Sequence, residues 1–274
     1  MEGPSLVILS QELQPFVGQK VLSVRGNSKQ PIQTLKQRKL VEVMTWGKNL
    51  FMRFSQPPRS DILTKTHFMM FGSYRINEPK ENRDPRLELK FKNGSVYFYS
   101  CSLRFDAEEY WLSRDRAVDV MSPEWDRQHV VELMAKKKNA LLCDLLLDQE
   151  IFAGSGNIVK NEVLFNIRRH PLTRLAQVGK ADRLKLAEGV RSYCKHFYEW
   201  KMSFELRRHW QVYRQHRCPL CQRKLTRENN GKFHRRSFFC AHHQPLRKSK
   251  RRLVVHDVLP PAKPFTAKEG RLDH

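Results

Sequence analysis

Cys218 and Cys221 stand two residues apart, and after 18 intervening residues Cys240 and His243 repeat the spacing. Two such knuckles bring together four soft or borderline donors as a closed tetrahedral metal site needs them, and the spacer has the length of a zinc ribbon. Structural zinc is therefore expected on Cys218, Cys221, Cys240 and His243, with His242 as the alternative fourth donor. The spacer alternates in character and contains Asn229-Asn230-Gly231, a turn signal, so it should fold back as a β-hairpin. A hairpin this small buries too little apolar surface to fold alone, and metal binding must supply much of its folding free energy. It also carries Arg223, Lys224, Arg227, Lys232, Arg235 and Arg236. A metal-stapled hairpin of that charge is suited to gripping phosphate. The plainer reading, four unrelated residues in a chain with six cysteines, leaves the paired spacing unexplained.

The positive charge extends to the whole chain. Among 274 residues, 51 Lys and Arg against 28 Asp and Glu give a net charge of +23 and a pI near 10.1. A polyanion is the first partner to consider, with nucleic acid ahead of a membrane surface. No apolar run approaches the ~20 residues that cross a bilayer. Residues 1–10 lack the basic segment and long apolar core of a secretory signal. Cys101, Cys143 and Cys194 are scattered, which fits a reducing compartment and not a disulfide scaffold.

Taken in order, the chain changes character three times. Ser10, Glu12 and Leu13 are expected to open a short helix limited by Pro15 and Gly18. Short β-favouring runs follow at Val21–Val24, Lys39–Val43, Asn49–Phe54 and Ile62–Met70. Arg86–Phe91 and Val96–Tyr99 alternate about Asn93-Gly94, which predicts a type I′ hairpin. Strands at this spacing predict a β-sandwich over residues 1–117. Near Val118 the apolar period turns helical, and Met121–Glu124 reads as a helix start with Ser122 as N-cap and Pro123 in the first turn. Residues 118–213 are then an all-α domain, 214–245 the finger, and 246–274 a basic, disordered tail. The expected fold class is multidomain α+β.

Three further stretches carry chemistry. Asp148–Ile158, DQEIFAGSGNI, ends one helix, reverses through two glycines and starts another at Asn157. A helix N-terminus offers unbonded N–H groups and partial positive charge, which hold phosphate; an ordinary helix corner is the alternative. Glu2 beside an α-amine suits amine chemistry, because that amine titrates near ~8; the alternative is a disordered start. Lys48, between Gly47 and an apolar strand, can serve as acid, base or phosphate ligand where it is not simply a surface residue.

Together these motifs resemble the formamidopyrimidine-DNA glycosylase and endonuclease VIII family of bacterial base-excision repair enzymes, over residues 1 to 245 and on the endonuclease VIII side. The matching motifs are Glu2-Gly3-Pro4, Gly47–Leu50, His67–Gly72, Asp148–Ile158 with Glu162, and Arg235–Cys240. The resemblance implies a β-sandwich, a helix-two-turn-helix DNA-binding domain and a zinc finger. It implies a monomeric DNA glycosylase and lyase for abasic sites, in a bacterial cytoplasm, acting on double-stranded damaged DNA and on no membrane. By motif position, Glu2 would be the acid and base, and Lys48 a catalytic lysine near the phosphate and sugar. Asn157 and Arg235 would hold the phosphate of the flipped nucleotide. Met70 would fill the gap in the stack, Phe105 would wedge the opposite strand, and His67 and Arg104 would add DNA contacts.

The departures from the pattern are informative. The family usually begins Met-Pro-Glu-Gly-Pro, and the proline amine is the nucleophile. Here Met1 directly precedes Glu2, so its primary amine is the expected nucleophile, with a DNA-binding relative that has lost catalysis as the alternative. A non-catalytic zinc-ribbon nucleic-acid module is the reading from another class. His243 takes the place of a fourth cysteine, and Leu103 stands where some members place an arginine. Tyr198–Trp210 is short and helical where relatives that excise oxidised guanine have a longer loop, which tilts the expectation towards oxidised pyrimidines.

Overall fold

The computed structural model describes residues 1–246, so the basic tail expected after Pro245 lies, Leu246 apart, outside the described residues. The chain forms two compact units, Met1–Arg114 and a second that begins at Asp115.

The first unit opens with helix α1 (Gly3–Glu12), which has Pro4 in its first turn. A proline there is pre-set for the helix and gives up only an N–H that no helical carbonyl would accept. The helix therefore occupies Gly3–Glu12, ending close to where a helix start was expected from Ser10. Its Leu6 and Leu9 are fully buried against the sheet residues Leu50, Phe54, Leu89 and Phe98 in one apolar core. Six strands follow: β1 (Ser23–Arg25), β2 (Lys39–Trp46), β3 (Asn49–Gln56), β4 (Arg59–Ile76), β5 (Leu87–Phe91) and β6 (Gly94–Arg104). They form one antiparallel ladder in the order β1-β5-β6-β4-β3-β2. The expected sandwich is thus a continuous six-stranded sheet, because the long β4 pairs with β3 over its first half and with β6 over its second.

Two local features depart from the sequence expectation. Phe91 pairs with Gly94, so the centre of the β5–β6 turn is Lys92-Asn93. A type I′ turn requires left-handed backbone at both central residues, which a lysine resists; here the positive φ, +150°, falls on Gly94 instead. In β4, Phe68 pairs with Cys101 and Ser73 with Tyr99, leaving Met69–Gly72 opposite Ser100 alone. The extra residues leave the sheet as a bulge. Met69, Met70 and Phe71 are 55, 71 and 77% exposed. At the return, a Cβ on Gly72 would lie 2.7 Å from the Phe68 Cβ, so only glycine closes the bulge. Helix α2 (Glu108–Leu112) ends the unit.

The second unit contains α3 (Arg127–Ala135), α4 (Leu142–Leu145), α5 (Asn157–Asn166) and α6 (Lys180–Met202), then the hairpin β7 (Thr226–Asn230) and β8 (Arg235–Phe239). The helix expected to start at Ser122 starts at Arg127, capped by Asp126, whose Oδ1 accepts the N–H groups of Gln128 and His129 at 2.7 and 3.2 Å. The Ser122 hydroxyl takes one N–H, that of Glu124, and closes only a turn. The carboxylate satisfies two orphan donors and sets the boundary.

Glu162 on α5 is fully buried, and its carboxylate accepts three backbone N–H groups, from Gln211 at 2.9 Å, Val212 at 3.0 Å and Tyr213 at 2.7 Å. This bond set fixes the segment that leads into the hairpin. Hydrogen bonds to a buried charge are strong, and their removal strands the partners. Replacing Glu162 by Ala should lower stability by about 3 kcal/mol or more, read as a fall in the urea midpoint of the second unit's unfolding.

Candidate functional site

In the first unit, Glu2 is the N-cap of α1, and its carbonyl accepts the N–H groups of Ser5 and Leu6. That places Met1 and Glu2 at the helix's positive end, with Met1 packed partly on the apolar core. Lys48 lies in the two-residue turn between β2 and β3, where Trp46 pairs with Asn49. Gly47 takes φ +59° as the first central residue, which a side chain would resist. Asn49 pairs in turn with His67 on β4, so the ladder itself delivers His67 to the Lys48 turn. The His67 ring bonds the Lys48 backbone, and burial, the Met1 ammonium and the ammoniums of Lys48 and Lys65 hold it below the ordinary histidine value. His67 is thus close enough to sense the charges of both the Met1 amine and Lys48.

The cluster extends to residues that sequence reasoning missed. Lys65, two residues before His67 and on the same strand face, pairs with Arg104 across the β4–β6 ladder. Its ammonium sits 3.5 Å from the centre of the Tyr110 ring, and Arg114 covers the same ring at 4.4 Å. Burial, Arg104 and Arg114 all lower the Lys65 pKa. Period-two alternation on β4 could have linked Lys65 with His67; Arg104 was expected as a DNA contact, but its pairing with Lys65 needed the strand register, and nothing in the sequence pointed to Arg114. Leu103 is buried, and Arg104 is the outward residue at this point of β6. Phe105 packs part of its ring on the core, and Met70 stands exposed in the bulge.

In the second unit, α5 begins at Asn157 behind Gly156. Its first turn lies against β8: the carbonyl of Arg236 accepts from Asn157 Nδ2 at 3.1 Å, Lys160 Nζ at 3.2 Å and Asn161 Nδ2 at 3.3 Å. Asn157 and the exposed Arg235 are therefore neighbours, 78 positions apart in sequence, held together through the backbone between them. Asn157 Nδ2 keeps a second hydrogen, and the N-terminal end of α5 carries partial positive charge, so this corner suits an anion.

The hairpin closes on Cys218, Cys221, Cys240 and His243, whose donor atoms all lie within 4.8 Å of one another. Cys221 Sγ is 3.7 Å from Cys240 Sγ, and His243 Nδ1 is 3.5 Å from Cys218 Sγ and 3.4 Å from Cys240 Sγ. A tetrahedron with metal–sulfur bonds of about 2.3 Å has edges of about 3.8 Å, slightly shorter where nitrogen replaces sulfur. The four residues therefore fit a metal ion. His242 turns away and lies 3.2 Å from Arg223, which leaves His243 as the fourth donor. Burial, Arg168, His242 and Arg223 lower the His243 pKa and favour the neutral ring that coordinates. Burial pushes the Cys218 thiol up to about 11, a penalty that a bound cation would offset.

The geometry can be set beside known proteins. The profile described as the formamidopyrimidine-DNA glycosylase N-terminal domain matches residues 2–107. Endonuclease 8-like 3 of Mus musculus is 32% identical over 210 residues, covering 74% of this chain and 34% of that protein. Endonuclease 8-like 2 of Bos taurus is 27% identical over 320 residues, covering 89% and 95%. These likenesses support the formamidopyrimidine-DNA glycosylase and endonuclease VIII family for this chain. It spans about a third of the length of the endonuclease 8-like 3 proteins it matches. Its fold is that of a viral DNA glycosylase (TM-score 0.77, 19% identity, covering 89% of this chain and all of that one). It is also that of the Lactococcus lactis formamidopyrimidine DNA glycosylase bound to DNA with an abasic site (TM-score 0.76, 21%, covering 90% and 100%). The two endonuclease 8-like relatives named are mammalian proteins, which lends no support to the bacterial cytoplasmic setting expected from the family comparison. No helix among the described residues is long and apolar enough to cross a membrane.

The His67 environment has a pH consequence. Its folded pKa is lowered from the ordinary 6.5, so the unfolded chain binds its proton first as pH falls. The stability it contributes is present above pH 6.5 and is lost as pH falls through the folded value. His67→Gln should flatten the fall of Tm between neutral and acidic pH, as read by thermal unfolding across a pH series.

Proposed function

We propose that this protein is a base-excision DNA glycosylase and lyase for abasic sites that uses the Met1 amine as its nucleophile. The observation that carries the proposal is the convergence of Met1, Lys48 and His67 on one end of α1. In this reading the damaged nucleotide is flipped out of double-stranded DNA, at least cost where pairing is already weak. The neutral amine attacks C1′ of the sugar, the glycosidic bond breaks, and the base leaves with the bonding electrons and a proton. The amine then loses a proton and the sugar ring opens, giving a Schiff base. Glu2 takes a C2′ proton, its electrons form a double bond, and the C3′–oxygen bond breaks, releasing the strand as its phosphate. A second elimination at C5′ frees the other phosphate, and water releases the sugar fragment from Met1.

The remaining roles follow the chemistry of each residue. Lys48 would serve near the sugar and phosphate, and neutral His67, Met70, Arg104 and Phe105 as DNA contacts. Asn157 and Arg235 would clamp a phosphate. The four metal donors are those of a structural zinc site, which supplies no chemistry beyond holding the hairpin. Oxidised pyrimidines are the favoured substrates, on the ground that Tyr198–Trp210 forms the end of α6 and one further helical turn, with no long loop. The second reading is a DNA-binding relative without catalysis, favoured by the missing family proline.

Borohydride reduction during incubation with an abasic-site duplex should trap a covalent adduct at Met1, and Glu2→Gln should slow strand cleavage. A duplex bound but never trapped, or an adduct at another residue, would sink the Met1 assignment. Arg235→Ala should weaken duplex binding roughly 10-fold or more, as loss of one charge-assisted contact predicts, with metal content unchanged by elemental analysis.

A further inference from the structure

Lys160 takes no part in the chemistry above, yet it is fully buried. A lysine is almost never removed from water without strong partners, since its charge loses hydration. Here the ammonium bonds to one strand of the hairpin: the Arg235 carbonyl at 3.4 Å, the Arg236 carbonyl at 3.2 Å and the Ser237 hydroxyl at 3.0 Å. Three consecutive residues of β8 thus receive one side chain from α5. Asn161 completes the grip, its Oδ1 accepting the Phe238 N–H at 2.8 Å. The next side chain outward on that strand is the exposed Arg235.

We propose that Lys160 is a positioning residue: it sets the place and direction of Arg235 by holding the β8 backbone on the first turns of α5. The inference rests on the assignment of Arg235 to a DNA phosphate. The metal cluster lies at the other end of β8, beyond Phe239, so it fixes the base of the hairpin, whereas Lys160 fixes the end that carries Arg235. Without the ammonium, the carbonyls of Arg235 and Arg236 lose a buried donor, and β8 can lift from α5 with the metal still bound. Arg235 then keeps its charge and loses its aim.

The test is a double-mutant cycle on the full chain: wild type, Lys160→Met, Arg235→Ala and the double variant. Binding to an undamaged duplex is measured over a series of salt concentrations, alongside metal content. Methionine keeps the volume and removes the charge. Arg235→Ala should lower the slope of log K against log salt by about 0.9, one phosphate contact. Lys160→Met should lower it by a similar amount, and the double variant should bind no worse than Arg235→Ala alone. Additive losses, or a wild-type slope in Lys160→Met, would overturn the proposal. If Lys160→Met loses metal or fails to fold, Ser237→Ala, which removes one acceptor only, takes its place in the cycle. It should weaken binding several-fold in the wild-type background and not at all beside Arg235→Ala; an unchanged affinity would overturn the proposal equally. Because undamaged duplex needs no chemistry, a protein that cleaves nothing but shows the non-additive cycle would lose the lyase reading and keep this one.

Discussion

One carbonyl, that of Arg236, accepts three amide and ammonium donors from the first turns of α5, and the second unit is arranged around that bond set. The hairpin has little core of its own. Its apolar cluster of Leu225, Phe238, Cys218 and Cys240 is completed by Phe165 from α5 and by Val212 from the preceding segment. Helix and hairpin therefore share a core, and Glu162 ties the segment between them to the same helix. The metal donors close one end of the hairpin, while buried polar contacts secure the other. A small element gains a defined orientation only when both ends are fixed.

The first unit solves a different problem, that of keeping cations close together. Lys48, Lys65 and the Met1 ammonium all act on His67, and Arg104 and Arg114 act on Lys65. Each charge makes its neighbours harder to protonate. The aromatic face of Tyr110, beneath Lys65 and Arg114, offsets part of that repulsion. A phosphate entering such a cluster relieves the remainder, so the repulsion built into the unliganded unit becomes affinity for an anion.

The legible parts of this chain were those with short-range causes. Cysteine spacing located the metal donors, because ligands on tight knuckles are fixed by local geometry. Period-two runs located β2, β3 and the β5–β6 hairpin, and two glycines located the start of α5. What escaped depended on register or on competition between local signals. Asp126 outdid Ser122 as a cap by accepting two N–H groups. The β5–β6 turn moved one residue back because Lys92 and Asn93 are compatible with ordinary backbone angles while Gly94 took the strained one. The contacts of Lys65 and Lys160 were invisible for the same reason: a lysine in sequence looks like solvent-facing charge until its cross-strand or cross-helix partners are known.

The bulge in β4 separates length from register. Phe68 and Ser73 hold their partners on β6 as if a single residue, opposite Ser100, stood between them, and the sheet resumes on either side. The two posts of the bulge are fixed, since Gly72 lies against the Phe68 side chain, whereas Met69, Met70 and Phe71 touch mainly solvent. The tip can consequently be exchanged, enlarged or made polar at almost no cost to the core. A sheet built this way carries an exchangeable tip on a permanent mount, so the chemistry of the tip can change while the strands that bring Lys48 to His67 stay as they are.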